Sequence, residues 1–208
     1  DDPISFPVRG RAPWEPRNYD NQFKGQVTLT QALAESRNIP AINLSEDVGR
    51  ELVSTVARGF GVRSDLASGP ALALGVSEST LIEMTGAFAG ILNGGSSVTP
   101  YGLTDLRFQG DTEPLMDGTG TGIGERVIQQ SAARELRWMM AQVVEGGTGQ
   151  RAKIDGWQIA GKSGTTQAAR DAWFIAFTGD YVTGVWMGYD DNRPLSGVTG
   201  GGLPADIW

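Results

Sequence analysis

Trp157-Gln158-Ile159-Ala160-Gly161-Lys162-Ser163-Gly164-Thr165-Thr166 opens the last quarter of the chain. Ala172-Trp173-Phe174-Ile175-Ala176-Phe177-Thr178 and Val182-Thr183-Gly184-Val185-Trp186-Met187-Gly188-Tyr189 follow it. From Trp157 onward the apolar pattern has a period of two, which predicts strands over 157–161, 172–178 and 182–189. The connections are short, and Gly179-Asp180 between the last two strands has the chemistry of a tight turn. Three strands joined this way form an antiparallel meander.

Upstream of this stretch the period lengthens to that of a helix. Residues 1–26 hold Pro3, Pro7, Pro13 and Pro16, four of the ten prolines, and read as an irregular lead-in. Residues 27–150 form a mostly helical part and residues 151–208 carry the C-terminal antiparallel strands. Thr28 followed by Gln31 is a capping box that opens a helix with Leu29, Ala32 and Leu33 on one face, and Pro40 is expected to stop it. Further helices are predicted over 48–60, closed by Gly61, and over 79–93, with Leu81, Met84, Phe88 and Leu92 on one side. Another starts at a Ser131 cap, holds Leu136, Met139, Met140 and Val143 inside, and ends at Gly146-Gly147. Residues 101–127 are turn-rich around a short strand expected over 103–108. Helices first and strands last is an α+β order, with helices packed on an antiparallel sheet of at least three strands.

Composition narrows the chemistry. The 208 residues are 39% apolar and 20% charged, enough for a sizeable core. A net charge of −7 with no basic run argues against a nucleic-acid partner. No apolar run reaches the roughly 18 residues of a membrane span. Cys 0 and His 0 remove disulfides, thiol nucleophiles, Ser-His-Asp triads and nearly every transition-metal site, so no metal or cofactor is expected. An enzyme built from this chain must use lysine or a carboxylate as its base. Gly118-Thr119-Gly120-Thr121-Gly122-Ile123-Gly124 reads as a surface loop, because no strand feeds it into a phosphate-cradling turn. Asp190-Asp191-Asn192 lacks the remaining ligands of a calcium loop and reads as a turn.

Only three lysines occur: Lys24, Lys153 and Lys162. Around Lys162, an ammonium, the Ser163 and Thr165 hydroxyls, Thr166 and the bare backbone of Gly164 would make a carboxylate-binding strand edge. The blander alternative is a solvated lysine beside a polar turn. Ser36-Arg37-Asn38 lies just before Pro40, which biases the chain out of a helix and allows Ser36 and Asn38 to act together. There Asn38 would offer its amide to a peptide and Ser36 would relay a proton. Its blander alternative is an ordinary helix end, with Arg37 a solvated side chain.

Together the two elements fit the order of an S-x-N and a K-[S/T]-G motif, as in β-lactamases and penicillin-binding proteins. The wider context resembles the transpeptidase domain of class A penicillin-binding proteins across nearly all of residues 12–208. The resemblance is carried by Asn18-Tyr19-Asp20, by Thr28-Leu29 through Ala41, by Leu72-Ala73-Leu74-Gly75-Val76-Ser77-Glu78, by Gly147-Thr148-Gly149, by Asp171-Ala172-Trp173-Phe174 and by the closing Gly200-Gly201 to Ile207-Trp208. It implies a β-lactamase/transpeptidase-like fold and a peptidoglycan D,D-transpeptidase that acts through an acyl-serine. It also implies stem-peptide and β-lactam ligands, and a membrane-anchored parent facing the periplasm or cell exterior. Ser36, Asn38 and Lys162 would be catalytic, and Ser163, Gly164, Thr165 and Thr166 would bind substrate.

One departure matters. The residues three before Lys24, Lys153 and Lys162 are Asn21, Gln150 and Ile159, so no Ser-x-x-Lys exists here. The family's nucleophile is the serine of that motif, and by resemblance its segment brings the first sheet strands and a central helix. The chain therefore reads as a piece of the domain, unable to acylate alone, whose strand 182–189 has an open edge suited to self-association. The chain also stops where the family's last helix should begin. The rival readings are a non-catalytic peptide- or partner-binding module on the same fold, and a β-lactamase or D,D-carboxypeptidase.

Overall fold

The computed structural model describes residues 1–118 and 122–208. Helices α1 (Leu29–Ala34), α2 (Asn38–Val48), α3 (Arg50–Gly59) and α4 (Leu81–Leu92) come first. Short strands β1 (Ser96–Val98), β2 (Asp105–Leu106), β3 (Met116–Asp117) and β4 (Ile123–Arg126) follow, then α5 (Gln130–Glu145). The chain ends with β5 (Ala160–Thr165), β6 (Asp171–Phe177), β7 (Val182–Gly188) and α6 (Leu203–Ile207). The sheet that matters runs β5-β6-β7, antiparallel throughout, with Lys162 opposite Ile175 and Trp173 opposite Trp186.

The central strand β6 is buried on both faces from Phe174 to Phe177. On one face Phe174 and Ala176 join Val144, Ile159 and Ala205, and Trp208 packs edge-on to Phe174 at 6.1 Å. Trp208 Nε1 donates to the Ala176 and Thr183 carbonyls, which pins α6 to the sheet. On the other face Phe177 joins Met140, Ala160, Phe88 and Val182. Helix α4 lies so near β7 that a side chain at Gly184 would meet Thr85 and Leu81. Helix α5 packs on β5 and contributes Val144 to one cluster and Met140 to the other. Burying the largest of these side chains stabilises the fold by about 1.5–3 kcal/mol each.

The α+β order and the meander are as the sequence implies, but several boundaries are not. Pro40 does not stop a helix: it sits in the first turn of α2, where its missing N–H would have no partner anyway. The helix expected over 48–60 is α3, which starts two residues later because Gly49, whose φ of 91 only glycine adopts cheaply, separates it from α2. The cap of α5 falls at Gln129 rather than Ser131. The strand expected over 103–108 shrinks to β2, which pairs with β3. The first meander strand begins three residues later than its apolar pattern suggests, so Lys162 to Thr165 lie on β5 rather than in a turn. Of the glycine-rich segment, Thr119, Gly120 and Thr121 lie outside the described residues, while Ile123 and Gly124 belong to β4.

Candidate active site

The site forms where the end of α1 meets the edge strand β5. Thr28 caps α1 by accepting from Gln31 N–H at 3.1 Å, whereas the Gln31 side chain donates to Glu35 instead of completing a box. After Ala34 the chain turns through Ser36 in the left-handed region, φ 56. Ser36 N–H bonds the Leu33 carbonyl and Arg37 N–H the Ala32 carbonyl, the paired bonds of a Schellman cap. Glycine is the usual residue there, and a side chain in this conformation costs about 1–2 kcal/mol. Such strain persists only where surrounding bonds over-determine the conformation.

The Ser36 side chain reaches strand β5 directly. Lys162 Nζ donates to Ser36 Oγ at 2.8 Å and to the Ser163 carbonyl at 2.8 Å, joining positions 126 residues apart. Burial lowers the Lys162 ammonium from its ordinary 10.5 to about 8, because water is excluded and no carboxylate compensates. A lysine poised so near neutrality exchanges protons readily. Since Nζ occupies a lone pair of Ser36 Oγ, the Ser36 proton remains available to a ligand. The Ser36 hydroxyl and the Lys162 ammonium thus form one hydrogen-bonded pair.

Strand β5 runs from buried Ala160 and Gly161 to exposed Thr165, so its chemical end is its open end. Thr166 N–H bonds the Asp171 carbonyl at 3.0 Å, and antiparallel alternation then aims the Thr165 N–H away from β6, at the free flank. Ser163 Oγ lies 2.6 Å from Thr148 Oγ1. Thr165 Oγ1 accepts from Gly200 N–H at 2.9 Å and keeps its own proton to donate. Thr166 is placed differently: its hydroxyl accepts from Asp171 N–H at 2.8 Å and closes the β5–β6 hairpin. Among the described residues no three His, Cys, Asp or Glu side chains converge as metal ligands.

Asn38 opens α2, and its hydrogen bonds go elsewhere than Lys162. Its Nδ2 donates to the Arg17 carbonyl at 2.7 Å and its N–H to Asn18 Oδ1 at 2.8 Å. Arg37 is buried, contrary to the solvated side chain expected from sequence. Its guanidinium pairs with Asp1 at 2.8 Å and Asp20 at 2.7 Å and donates to the Gln22 carbonyl. Asn18 completes this hub, donating to Asp1 and Gln22 and accepting from the first amides of α2. The Gln22 N–H and then Arg37 hold the Asp20 carboxyl below its ordinary range. Asn18, Asp20 and Thr148 stand in segments that the sequence analysis matched only by resemblance, and nothing in local spacing links them to Ser36 or Ser163.

Helices on an antiparallel meander, with a lysine of the edge strand bonded to a serine at a helix end, define a β-lactamase/transpeptidase-like α+β protein. Comparison with known proteins carries this further. Residues 5–194 match the penicillin binding protein transpeptidase domain, and the chain belongs to that family. It is 33% identical over its whole length to penicillin-binding protein 1A of Neisseria meningitidis, of which it spans 27%. The crystal structure of penicillin-binding protein 1A from Haemophilus influenzae superposes on all of it with a TM-score of 0.88 at 27% identity, covering 37% of that chain. Penicillin-binding protein A from M. tuberculosis, solved as an imipenem acyl-enzyme complex, matches 98% of it with a TM-score of 0.75 at 25% identity and is half covered. The chain thus spans about a quarter of the length of the curated relatives it matches.

Proposed function

We propose that this chain supplies the proton-relay and carboxylate-binding half of a peptidoglycan D,D-transpeptidase. The observation that carries the reading is the 2.8 Å bond from Lys162 Nζ to Ser36 Oγ beside an edge strand bearing Ser163 and Thr165. In the parent enzyme the serine of a Ser-x-x-Lys segment, absent from these 208 residues, gives its proton to the lysine of that segment, which passes it to Ser36, and attacks the carbonyl of a D-Ala-D-Ala bond. The C–N bond breaks, Ser36 passes a proton to the departing amine, and the serine holds the acyl group. An amine of a neighbouring stem peptide then attacks the ester, gives its proton back through Ser36, and releases the serine. The Ser163 and Thr165 hydroxyls hold the terminal carboxylate, and Asn38 orients the donor amide once its amide group is freed from Arg17. Thr165 N–H, facing the free flank, donates to the oxyanion, and one such donor is worth about 10²–10³ in rate.

A parent with this chemistry would act at the periplasmic or extracellular face of the cytoplasmic membrane; among the described residues no helix is long and apolar enough to cross one. Strand β7 pairs only with β6 among the described residues, and Trp186 on it is 39% exposed, so the isolated chain is expected to self-associate there. Light scattering showing a stable monomer would contradict that. The test of the activity is intact mass of the full-length protein before and after a reporter penicillin. A covalent adduct on a serine outside this chain, whose formation slows with Lys162→Met and Ser36→Ala, supports the reading. An unmodified wild-type protein overturns it in favour of a non-catalytic module, and rapid loss of the adduct to water favours a hydrolase.

A further inference from the structure

Thr148 is joined to both halves of the site. Its N–H donates to the Ala34 carbonyl at 3.0 Å, on the helix end that sets Ser36, and its hydroxyl lies 2.6 Å from Ser163 Oγ beside Lys162. The approach is close by construction of the backbone: a Cβ at Gly147 would overlap the Ala34 carbonyl oxygen, and one at Gly201 would overlap that of Thr148. Gly149 N–H bonds back to Val143, so the turn is tied to the end of α5 as well. A β-branched side chain on a backbone held at these points has little rotational freedom.

Two hydroxyls at this distance share one proton, and each has only one to give. If Ser163 donates to Thr148, it turns lone pairs toward the cleft and repels a carboxylate. If Thr148 donates to Ser163, the Ser163 proton points outward and is polarised by the bond behind it. Only the second arrangement binds an anion.

We propose that Thr148 is a positioning residue that sets the direction of the Ser163 hydroxyl and so confers selectivity for ligands with a free carboxylate. This rests on the transpeptidase reading, in which Ser163 meets the carboxylate, and adds to it a residue that never touches substrate. The chain Thr148 O–H to Ser163 O–H to carboxylate also explains why a turn remote in sequence is drawn against both motif segments. A merely structural Thr148 would affect all ligands alike, whereas a polarity-setting one affects acids and spares their esters.

The experiment measures second-order acylation of the full-length protein by benzylpenicillin and by its methyl ester. Thr148→Val is expected to slow the acid about tenfold, the effect of roughly one hydrogen bond, and the ester less than twofold. Thr148→Ser restores the wild-type ratio, and in a Ser163→Ala background Thr148→Val changes the ratio no further. Should the valine variant melt early, Thr148→Ala is compared with Thr148→Ser in the same way. An unchanged acid-to-ester ratio in Thr148→Val, or equal loss for both probes, overturns the proposal while leaving the transpeptidase reading intact. Wild-type protein that neither probe acylates overturns both.

Discussion

Replacing Arg37 by methionine tests the hub that carries the Ser36–Asn38 turn. The guanidinium is 5% exposed, and its partner Asp1 carboxylate is fully enclosed. Asp20 is 43% exposed, so solvent screens its share of the pairing. Removing one partner of a buried pair costs about 3–5 kcal/mol, because the other charge stays buried and unpaired. Asp1 retains donors in Asn18 Nδ2 at 2.8 Å and Lys24 N–H at 3.2 Å, which favours the lower end, about 3 kcal/mol. For a domain of this size that corresponds to about 6–12 °C in Tm. The assay is thermal and urea unfolding at neutral pH of the wild type, Arg37→Met, Asp1→Asn and the double variant. The double variant should recover most of the loss, since no buried charge is then left alone. A single variant within 0.5 kcal/mol of wild type, roughly the range of an ordinary surface change, would refute the reasoning. So would a double variant no better than Arg37→Met.

Three further outcomes follow from groups the structure perturbs. Lys162 titrates near 8 when folded and near 10.5 when unfolded, so the unfolded chain binds more protons between those values and stability rises with pH across them. Relative to Lys162→Met, the wild type should gain up to about 3 kcal/mol from pH 8 to 10.5 and nothing below it; a flat difference in urea titrations counts against a desolvated lysine. Ser36→Gly should be more stable than Ser36→Ala by about 1 kcal/mol, since only glycine relieves the positive φ, although both lose the relay; the reverse order would mean that the turn is not strained. The Glu83 carboxyl is lowered to about 2, first by the Ser64 hydroxyl and the Thr80 N–H, with Arg63 N–H and Ser79 also donating. Its folded pKa lies below its unfolded one, so its contribution is present above about 4.5 and lost as pH falls toward 2. Glu83→Gln should flatten that acid limb in pH-dependent melts.

What sequence shows of this fold is what repeats locally. The meander is legible because alternating apolar residues must bury two faces of β6, and α4 because Leu81, Met84, Phe88 and Leu92 recur at helical spacing. Pro40 misleads because proline has the same identity at the end of one helix and in the first turn of the next. Lys162 and Ser36 are legible as residue types in recognisable order, but their contact crosses 126 residues and no local pattern encodes it. Arg37 is misread for the same reason: an arginine between polar neighbours is solvated unless distant carboxylates arrive, and Asp1 and Asp20 do.

The same contrast explains why the site is built as it is. A left-handed serine and a desolvated lysine are each unfavourable, and neither would persist on a flexible support. Each is over-determined by bonds that do no chemistry: Ser36 by the Schellman pair and by Arg37 anchored beneath the turn, Lys162 by its place on a strand whose neighbour β6 is wholly buried from Phe174 on. Thr148 bonds to both supports, through its backbone N–H to Ala34 and its hydroxyl to Ser163. Stability lost at Ser36 and Lys162 is therefore offset in part by polar anchors near them. Variants at Arg37 or Asn18 should therefore lower Tm and slow acylation by acid and ester alike, whereas Thr148→Val is read in the acid-to-ester ratio.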